Sequence, residues 1–471
     1  MAILASLTVL SLVTAAPQSA AQEPDARLKP SLSKLELEDL NKKTKAWVAA
    51  MLHLEEKHDT RNRKRLDQAR EKLFSVLAKK AKGQKTDPVL SHTGNVLAMF
   101  DGCYEYKRTP TSGEIKKQTV RSTMEGFKDL SYHFLAPKGY DANQPYRSVL
   151  VLTGWDSARS AWAEARGYLS DMWAKSESAG DSLFVVPDLR KGDDLETHPD
   201  LTSTDGLTNE GERIAGVLRP FGELQRNFHV DRRRVFLDCG PATCGFGLRL
   251  ATYFPGRFAG VILRRPVDPK DLQLGGLMGT PICLVSNDKT AAVCDKLKAA
   301  LDKLKAGCTV VLKEGDKANA EIEKWMRGVV RPLFPGSVIV APNHDKFRRA
   351  YWVEIASCEP LDAVAAPEKR PMVRVDADYQ KNRILVESRS VSAIRLYLND
   401  ALLDLDKEFT VVVNGIELAG NKVQRSLGTV WEAMKPRFDP TFIATARYAF
   451  EVPVPKSDKK GSGGTASGSG K

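Results

Sequence analysis

The sequence predicts an α/β fold in which a central parallel β-sheet is preceded by an α-helical hairpin and followed by a small β-sandwich. Between residues 118 and 335, short apolar runs alternate with helical segments, a spacing typical of parallel strands joined by right-handed crossovers. Residues 234–258, RVFLDCGPATCGFGLRLATYFPGRF, indicate a buried strand, a turn and a helix that ends at a proline. Beyond residue 350 the pattern changes to short β-rich runs separated by turn residues.

Residues 1–21 have the composition of a signal peptide. An apolar stretch extends to Ala16, and the small residues Ser19, Ala20 and Ala21 offer a cleavage site. We therefore expect export to the periplasm or the extracellular space. A wrongly assigned start codon is the alternative, because no Lys or Arg precedes the apolar stretch. No later run is long enough to cross a bilayer, which predicts a soluble or peripheral mature chain without a transmembrane segment.

Residues 30–100 are predicted to form a helical N-terminal arm. Ser33 and Glu36 have the spacing of a capping box, and a second helix over 62–82 completes a hairpin that packs on, or projects from, the α/β body. Residues 34–85 hold 15 Lys or Arg against 8 Asp or Glu, a surplus of 7 in a chain of net charge +12. A merely solvated helix face is the preferred interpretation of this surplus. Weak binding to anionic polymers, without specific nucleic-acid recognition, is the alternative. We expect the body to stay folded when the arm is removed.

The central domain is predicted over residues 118–335. A helix over 209–227 leads into the strand of the 234–258 segment, and a helix over 320–330 closes the domain. The other strands are expected at 118–122, 131–135, 148–152, 183–187, 260–263, 281–285 and 308–312.

The C-terminal β-domain is predicted over residues 350–455, as a sandwich with one helix near 428–434. Turn pairs such as Asn399-Asp400 and Asn414-Gly415 separate its strands. Residues 456–471 are rich in Gly, Ser and Lys and are predicted to be a disordered tail, because such a composition cannot form a core.

Both flanks of the 234–258 turn carry residues of a known pattern. The strand side holds Asn227, Val230, Asp231, Arg234, Val235, Phe236 and Leu237, and the helix side holds Phe254, Pro255, Arg257, Phe258, Ala259 and Gly260. With the stretch from Tyr132 to Tyr140, these residues resemble secreted carboxylesterases and prolyl-oligopeptidase-like serine hydrolases of the α/β-hydrolase superfamily. The resemblance implies a nucleophile elbow of the form G-x-S-x-G at the turn.

The resemblance places the nucleophile of the elbow at Pro241. Cys239 and Thr243 then stand where the two glycines belong, and a shift by one residue brings Ala242 to the apex. Proline has neither a hydroxyl nor a thiol, and its ring cannot adopt the positive φ that an elbow residue needs. The degenerate elbow therefore comprises Cys239, Gly240, Pro241, Ala242, Thr243 and Cys244.

The other catalytic positions implied by the resemblance are also substituted. The acid would fall at Thr290 or Asp288, and the base at Asp316 or Lys317, neither of which is an imidazole. A remnant of the oxyanion-hole loop is expected at Gly154 and Trp155, where backbone donors could persist.

The leading hypothesis is an exported pseudo-hydrolase with no catalytic residues, no cofactor and no metal, which binds an unknown ligand or an envelope protein. One alternative is an active esterase or peptidase with Cys239 or Cys244 as nucleophile and His344 as base. Another is a structural envelope protein in which the arm and the β-domain carry the function.

The chain has seven cysteines, an odd number. Cys239 and Cys244 flank the turn, and the reversal of the chain there could bring them within disulfide distance. In the alternative arrangement Cys239 points into the core and Cys244 faces the first helical turn, with both thiols reduced.

Overall fold

The fold is seen in a computed structural model that describes residues 26–84, 87–106, 113–121, 129–153, 160–174, 176–189, 204–269, 272–304, 309–315, 317–361 and 369–453. The predicted signal peptide and the predicted C-terminal tail lie outside these residues. Within the described part of the chain, no helix combines the length and the apolar character needed to cross a membrane.

Three helices form the N-terminal arm: α1 (Lys34–Glu56), α2 (Thr60–Ala81) and α3 (Thr93–Phe100). The predicted capping box is present, since the Ser33 side chain accepts from the backbone N–H of Glu36 while the Glu36 carboxylate accepts from the backbone N–H of Ser33. Asp59 caps α2 in a similar way by accepting from the backbone N–H of Asn62. These caps fix where the two long helices of the hairpin begin.

The central sheet has the order β1-β2-β4-β3-β5-β6-β7-β8. β1 and β2 run antiparallel to their neighbours, and all other pairs are parallel, so the prediction of a parallel sheet needs this one correction at its edge. The strands are β1 (Lys116–Val120), β2 (Leu130–Leu135), β3 (Tyr146–Leu152), β4 (Ser182–Pro187), β5 (Val230–Cys239), β6 (Gly260–Arg264), β7 (Ile282–Ser286) and β8 (Thr309–Lys313).

Helices cover both faces of this sheet, as parallel strands require. One face packs against α5 (Thr204–Asn227), α6 (Cys244–Tyr253) and α7 (Ala291–Lys303). The other face packs against α4 (Ala161–Tyr168) and α8 (Ala318–Gly328). The α/β fold predicted from the alternation of strands and helices is thereby confirmed.

The C-terminal domain is a sandwich of two sheets with a shared apolar core, as predicted. One sheet has the order β10-β11-β14-β17 and the other β16-β15-β13-β12-β9. β9 precedes residue 350, where the domain was expected to start. The elements are β9 (Ser337–Val340), β10 (Arg349–Ala350), β11 (Val353–Cys358), β12 (Met372–Asp378), β13 (Arg383–Arg389), β14 (Val391–Leu398), β15 (Phe409–Val413), β16 (Ile416–Asn421), α9 (Leu427–Met434) and β17 (Ala446–Glu451).

The arm packs on α9 of the C-terminal domain. Trp47 of α1 meets Trp431 of α9 edge to face, with ring centroids 5.7 Å apart, and Lys435 pairs with Glu55 at 2.6 Å. Leu427, Val430, Trp431 and Met434 belong to the same buried cluster as the arm residues. Removal of the arm would expose this apolar face of α9, and that the body stays folded without the arm remains a prediction.

We expect Trp47→Ala to lower the free energy of unfolding by about 3–5 kcal/mol, because it removes a large side chain from the core that the arm shares with α9. Urea denaturation followed by circular dichroism measures this. Leu35→Ala, at a position 79% exposed on the same helix, is the control and should change stability by less than about 0.5 kcal/mol. Equal losses in the two variants would contradict the shared core.

Candidate functional site

The turn after β5 is relaxed rather than strained. Pro241–Thr243 form a single 3₁₀ turn that leads directly into α6, and Gly240 has φ −65°. None of residues 239–253, all of which the structure describes, has a positive φ. Proline suits the first position of a helical turn, because its fixed φ is already helical and its missing N–H is not needed there. The turn thus lacks the backbone geometry that would hold a nucleophile above the sheet.

Hydrogen bonds to β3 hold this turn in place. The backbone N–H of Gly240 donates to the carbonyl of Leu152 at 2.8 Å. The buried hydroxyl of Thr243 lies 2.8 Å from the same carbonyl and 3.0 Å from the carbonyl of Gly240. Pro241 is exposed at the apex, and Ala242 is half-buried. The one hydroxyl of the turn is therefore committed to backbone acceptors.

Cys239 and Cys244 are both free, buried thiols, so the arrangement with two reduced cysteines is the one in the structure and the disulfide is not formed. The Cys244 thiol donates to the carbonyl of Arg264 at 2.9 Å. The Cys239 sulfur packs so closely on α6 that a Cβ at Gly247 would lie 2.0 Å from it. Burial raises the pKa of both thiols well above the ordinary value, which disfavours the thiolate form.

His344, the base of the cysteine alternative, lies at the far end of α6. Its ring is 5.8 Å from that of Tyr253, and its Nδ1 accepts from the backbone N–H of Lys346 at 3.1 Å. Cys244 and Tyr253 are the first and last residues of α6, which separates their Cα atoms by roughly 13 Å along the helix. The structure does not bring His344 together with either cysteine.

A buried ion pair occupies the carboxyl ends of β5 and β6. The Asp238 carboxylate is fully buried and accepts from Nε of Arg264 at 2.9 Å. Its Oδ2 also accepts from the Tyr168 hydroxyl at 3.0 Å and from Nε1 of Trp173 at 2.9 Å. Arg264 in turn donates to Asn319 at the start of α8 at 2.9 Å. Burial by itself lowers the pKa of Arg264, but the Asp238 carboxylate outweighs this and holds it above the ordinary value.

A second, exposed ion pair spans the ends of β6 and β8. Arg265, which has φ +56°, donates from Nε and Nη2 to both carboxylate oxygens of Glu314, at 2.9 and 2.7 Å. Asn287, at the end of β7, donates to the same carboxylate at 3.2 Å. Hydrogen bonds from Arg265 lower the pKa of Glu314 against the opposing effect of burial. This bridge crosses the edge where the acid and the base of the triad were expected.

The other predicted site residues lie around this bridge. The Thr290 hydroxyl bonds to Asn287, the Asp288 carboxylate is almost fully exposed 3.9 Å from Lys313, and Lys317 precedes α8 as its exposed N-cap. Gly154, Trp155 and Asp316 fall outside the residues that the structure describes. In the described part of the chain, no group of three or more His, Cys, Asp or Glu side chains is placed to hold a metal ion.

Sequence reasoning missed the Asp238–Arg264 pair. The signal was present, since Asp238 interrupts an apolar strand and Arg264-Arg265 follow another, but the two charges are 26 residues apart in the chain. Only the parallel pairing of β5 with β6 brings them together.

The sheet order and the strand–turn–helix together give the chain an α/β-hydrolase-type fold. No protein-family model and no curated sequence matches the chain. Solved structures similar to it include a thermostable esterase, with 14% identity over 46% of this chain and 63% of the esterase, at a TM-score of 0.37. A ferulic acid esterase has 13% identity over 45% of this chain and 95% of its own, at a TM-score of 0.34.

A third similar structure is dipeptidyl peptidase 4 from Porphyromonas gingivalis, with 12% identity over 48% of this chain and 36% of the peptidase, at a TM-score of 0.33. The chain thus covers less than two thirds of the thermostable esterase and about a third of the peptidase. Similarities at such identities and TM-scores carry no argument about activity.

We expect Arg264→Met to lower the free energy of unfolding by about 3–5 kcal/mol, because it leaves the Asp238 carboxylate buried without its counter-charge. Urea denaturation measures the loss. Arg265→Met is the matched control: its partner Glu314 is solvent-exposed, so the cost should be under about 1 kcal/mol. A loss for Arg264→Met no larger than that of the control would show that the buried pair is not structural.

We also expect Cys239 and Cys244 to resist alkylation in the native protein, because burial disfavours the reactive thiolate and blocks the reagent. Pulse labelling with iodoacetamide, followed by peptide mass spectrometry, measures this. The partly exposed Cys358 is the internal control and should be modified before Cys239 and Cys244. Rapid native labelling of Cys244 would reopen the possibility of a cysteine nucleophile.

Proposed function

We propose that this chain is an exported α/β-hydrolase-fold protein that has lost hydrolase activity and acts by binding a ligand or an envelope protein. The proposal rests on which residues occupy the carboxyl ends of the central strands. Where the resemblance implies a nucleophile, an acid and a base, the chain has an exposed proline on a relaxed turn and an Arg265–Glu314 bridge. Export is supported by the composition of residues 1–21 alone.

The Arg265–Glu314 ion pair bears on catalysis because the three members of a catalytic triad act as a unit. A general base must lie within hydrogen-bond reach of the nucleophile, and an acid must orient that base. At this edge Asn287 and Arg265 both donate to Glu314, so the side chains that could support an imidazole are engaged with each other. Restoring one member would therefore not restore the others.

A cysteine-based hydrolase is the less favoured reading. Both candidate thiols are buried, their pKa values are raised by burial, and His344 is at the opposite end of α6. Activation of a thiol normally requires the reverse, a nearby positive charge or base and access for substrate. The buried position of Cys244 instead suits a structural role, tying the start of α6 to the end of β6.

We expect no hydrolysis of p-nitrophenyl acetate above the buffer rate and no labelling by a fluorophosphonate probe, because no nucleophile stands at the apex of the turn. Pro241→Ser should remain inactive, since a lone nucleophile lacks its base. Initial rates and gel-based probe detection measure both. Turnover by repurified protein would overturn the proposal. Its loss in Cys244→Ala would identify the cysteine as the nucleophile, and its persistence would identify another site.

A further inference from the structure

A cavity of about 860 Å³ lies between the α/β body and the C-terminal domain. Its walls come from α5, from the end of α6, from the segment leading into β10 and from the residues after α9. Tyr253, Phe254 and Arg257 line it, so it opens at the end of α6 opposite the degenerate turn. We call it the arginine cleft. It belongs to neither the turn nor the ion-paired edge described above.

The arginine cleft is strongly cationic. Among the described residues that line it, eight are Lys or Arg and one, Glu223, is acidic. Glu223 lies 3.7 Å from Arg226, and Arg348 pairs with Asp345 at 2.7 Å. The remaining lining cations form no ion pair with any carboxylate among the residues that the structure describes. A solvated surface patch could disperse such charge, but a cavity concentrates it.

Three of these cations, Arg257, Arg349 and Arg437, come from different parts of the chain and share the inner wall of the cleft. Burial, together with the neighbouring Arg349, Arg257 and Arg331, lowers the pKa of Arg437 to about 9. Burial likewise lowers the pKa of Arg257 to about 10, although Asp439 opposes the shift. Arg349 and Arg437 each lie 4.8 Å from the ring centroid of Phe442, which places these two positive charges close together.

Aromatic rings support the trio but do not satisfy its donors. The Arg349 guanidinium lies 3.7 Å from the Tyr397 ring centroid, and Arg437 lies 4.8 Å from that of Phe442. Such stacking holds the planar groups in position without using their N–H donors. Nε of Arg349 donates to the carbonyl of Tyr351 at 3.4 Å. Nη2 of Arg349 and Nη1 of Arg437 are buried and have no hydrogen-bond partner. A buried unsatisfied donor on a charged group is costly, so its presence calls for an explanation.

Asp439, the carboxylate that opposes the lowered pKa values of Arg257 and Arg437, does not pair with them. Asp439 is bound by Nη2 of Arg331 at 2.7 Å, and its other oxygen accepts from the backbone N–H of Thr441 at 2.9 Å. Its charge is thus shared with Arg331, which is itself fully buried. Among the residues that the structure describes, no carboxylate forms an ion pair with Arg257, Arg349 or Arg437, so an anionic ligand would supply the missing counter-charge.

We propose that the arginine cleft binds a small organic polyanion that carries at least two phosphate, sulfate or carboxylate groups. Guanidinium groups present paired donors that match these oxyanions, which accounts for the unsatisfied Nη atoms. The volume is in the usual range for ligand sites, and Phe254, Phe347 and Phe438 offer apolar surface to the carbon skeleton. This proposal names a class of ligand for the binding function proposed in the previous subsection. It does not depend on whether the turn after β5 is catalytically inactive.

The sequence places any weak anion binding on the helical arm, whereas this proposal places the anion site in the arginine cleft. The arm residues Arg61 and Arg65 are exposed, and other arm lysines pair with acids on the arm, as Lys80 does with Glu36 at 2.5 Å. Exposed charges are weakened by salt, whereas buried ones are screened much less. The cleft and the arm therefore predict different salt dependence and different sensitive residues.

The test is isothermal titration of the full chain with tripolyphosphate, sucrose octasulfate and citrate, each at fixed ionic strength. We expect at least one of the three to bind, and the strongest of them identifies the anionic group that the cleft prefers. Arg257→Gln with Arg437→Gln should weaken that binding at least about tenfold, because two charge-assisted donors are lost. Arg61→Gln with Arg65→Gln, which removes the same charge from the arm, should leave it within about twofold.

Three results would overturn the proposal: no binding of any probe at millimolar concentration, an equal loss in the arm variant, or no loss in the cleft variant. If the cleft double variant does not fold, Arg219→Gln on α5 must weaken binding instead. Arg437→Met tests whether Arg437 serves ligand binding or stability. Because the substitution removes an uncompensated charge, the thermal unfolding midpoint of the ligand-free protein should be unchanged or raised. A marked fall would show that Arg437 is structural. None of these measurements follows ester turnover, so their failure leaves the inactive turn untouched.

Discussion

The buried ion pair between Asp238 and Arg264 is the interaction on which the carboxyl edge of the central sheet depends. Taking two charges out of water is costly, and their attraction offsets that cost only with good geometry and further hydrogen bonds. Tyr168 and Trp173 supply those bonds to the carboxylate, and Asn319 supplies one to the guanidinium. The pair therefore fixes β5 and β6 relative to the end of α4 and the start of α8.

This constraint bears on what the turn after β5 can do. A nucleophile elbow holds a residue in an unfavourable backbone conformation, which persists only when the surroundings enforce it. Here the backbone is unstrained: a 3₁₀ turn begins at Pro241, and the Thr243 hydroxyl donates to the carbonyl of Leu152. None of residues 239–253 has a positive φ, so backbone strain is absent where the resemblance implies a nucleophile. The ion pair between Asp238 and Arg264 stabilises the same region.

Buried charges are paired near the start of α6 but not beyond its end. Near its start, the charge of Asp238 is matched by Arg264 at hydrogen-bond distance. Beyond its end, Arg257, Arg349 and Arg437 form no ion pair with any carboxylate that the structure describes, and Nη2 of Arg349 and Nη1 of Arg437 have no hydrogen-bond partner. Protein sites that bind ligands commonly sacrifice stability for function in this manner. The cleft also requires both domains, since Arg257 follows α6 while Arg437 follows α9.

Local features of the fold could be predicted from the sequence because they depend on neighbouring residues. The capping box at Ser33 and Glu36, the apolar run that became β5 and the helix near residue 428 all follow from short-range spacing and composition. The substitution of Pro241 at the apex was likewise visible in the chain itself. The antiparallel edge of the sheet and the packing of the arm on α9 were not, because periodicity does not specify which element an apolar face will meet.

Charge partners were decided by the tertiary structure alone. Asp238 and Arg264 are 26 residues apart, Arg265 and Glu314 are 49 apart, and the cleft combines residues between Thr119 and Phe438. A sequence shows that a charge interrupts an apolar strand, but not whether a counter-charge from another strand will meet it. That outcome depends on strand order and register, which bring the ends of β5, β6 and β8 to one edge. The packing of the two domains then places Arg257, Arg349 and Arg437 in one cleft.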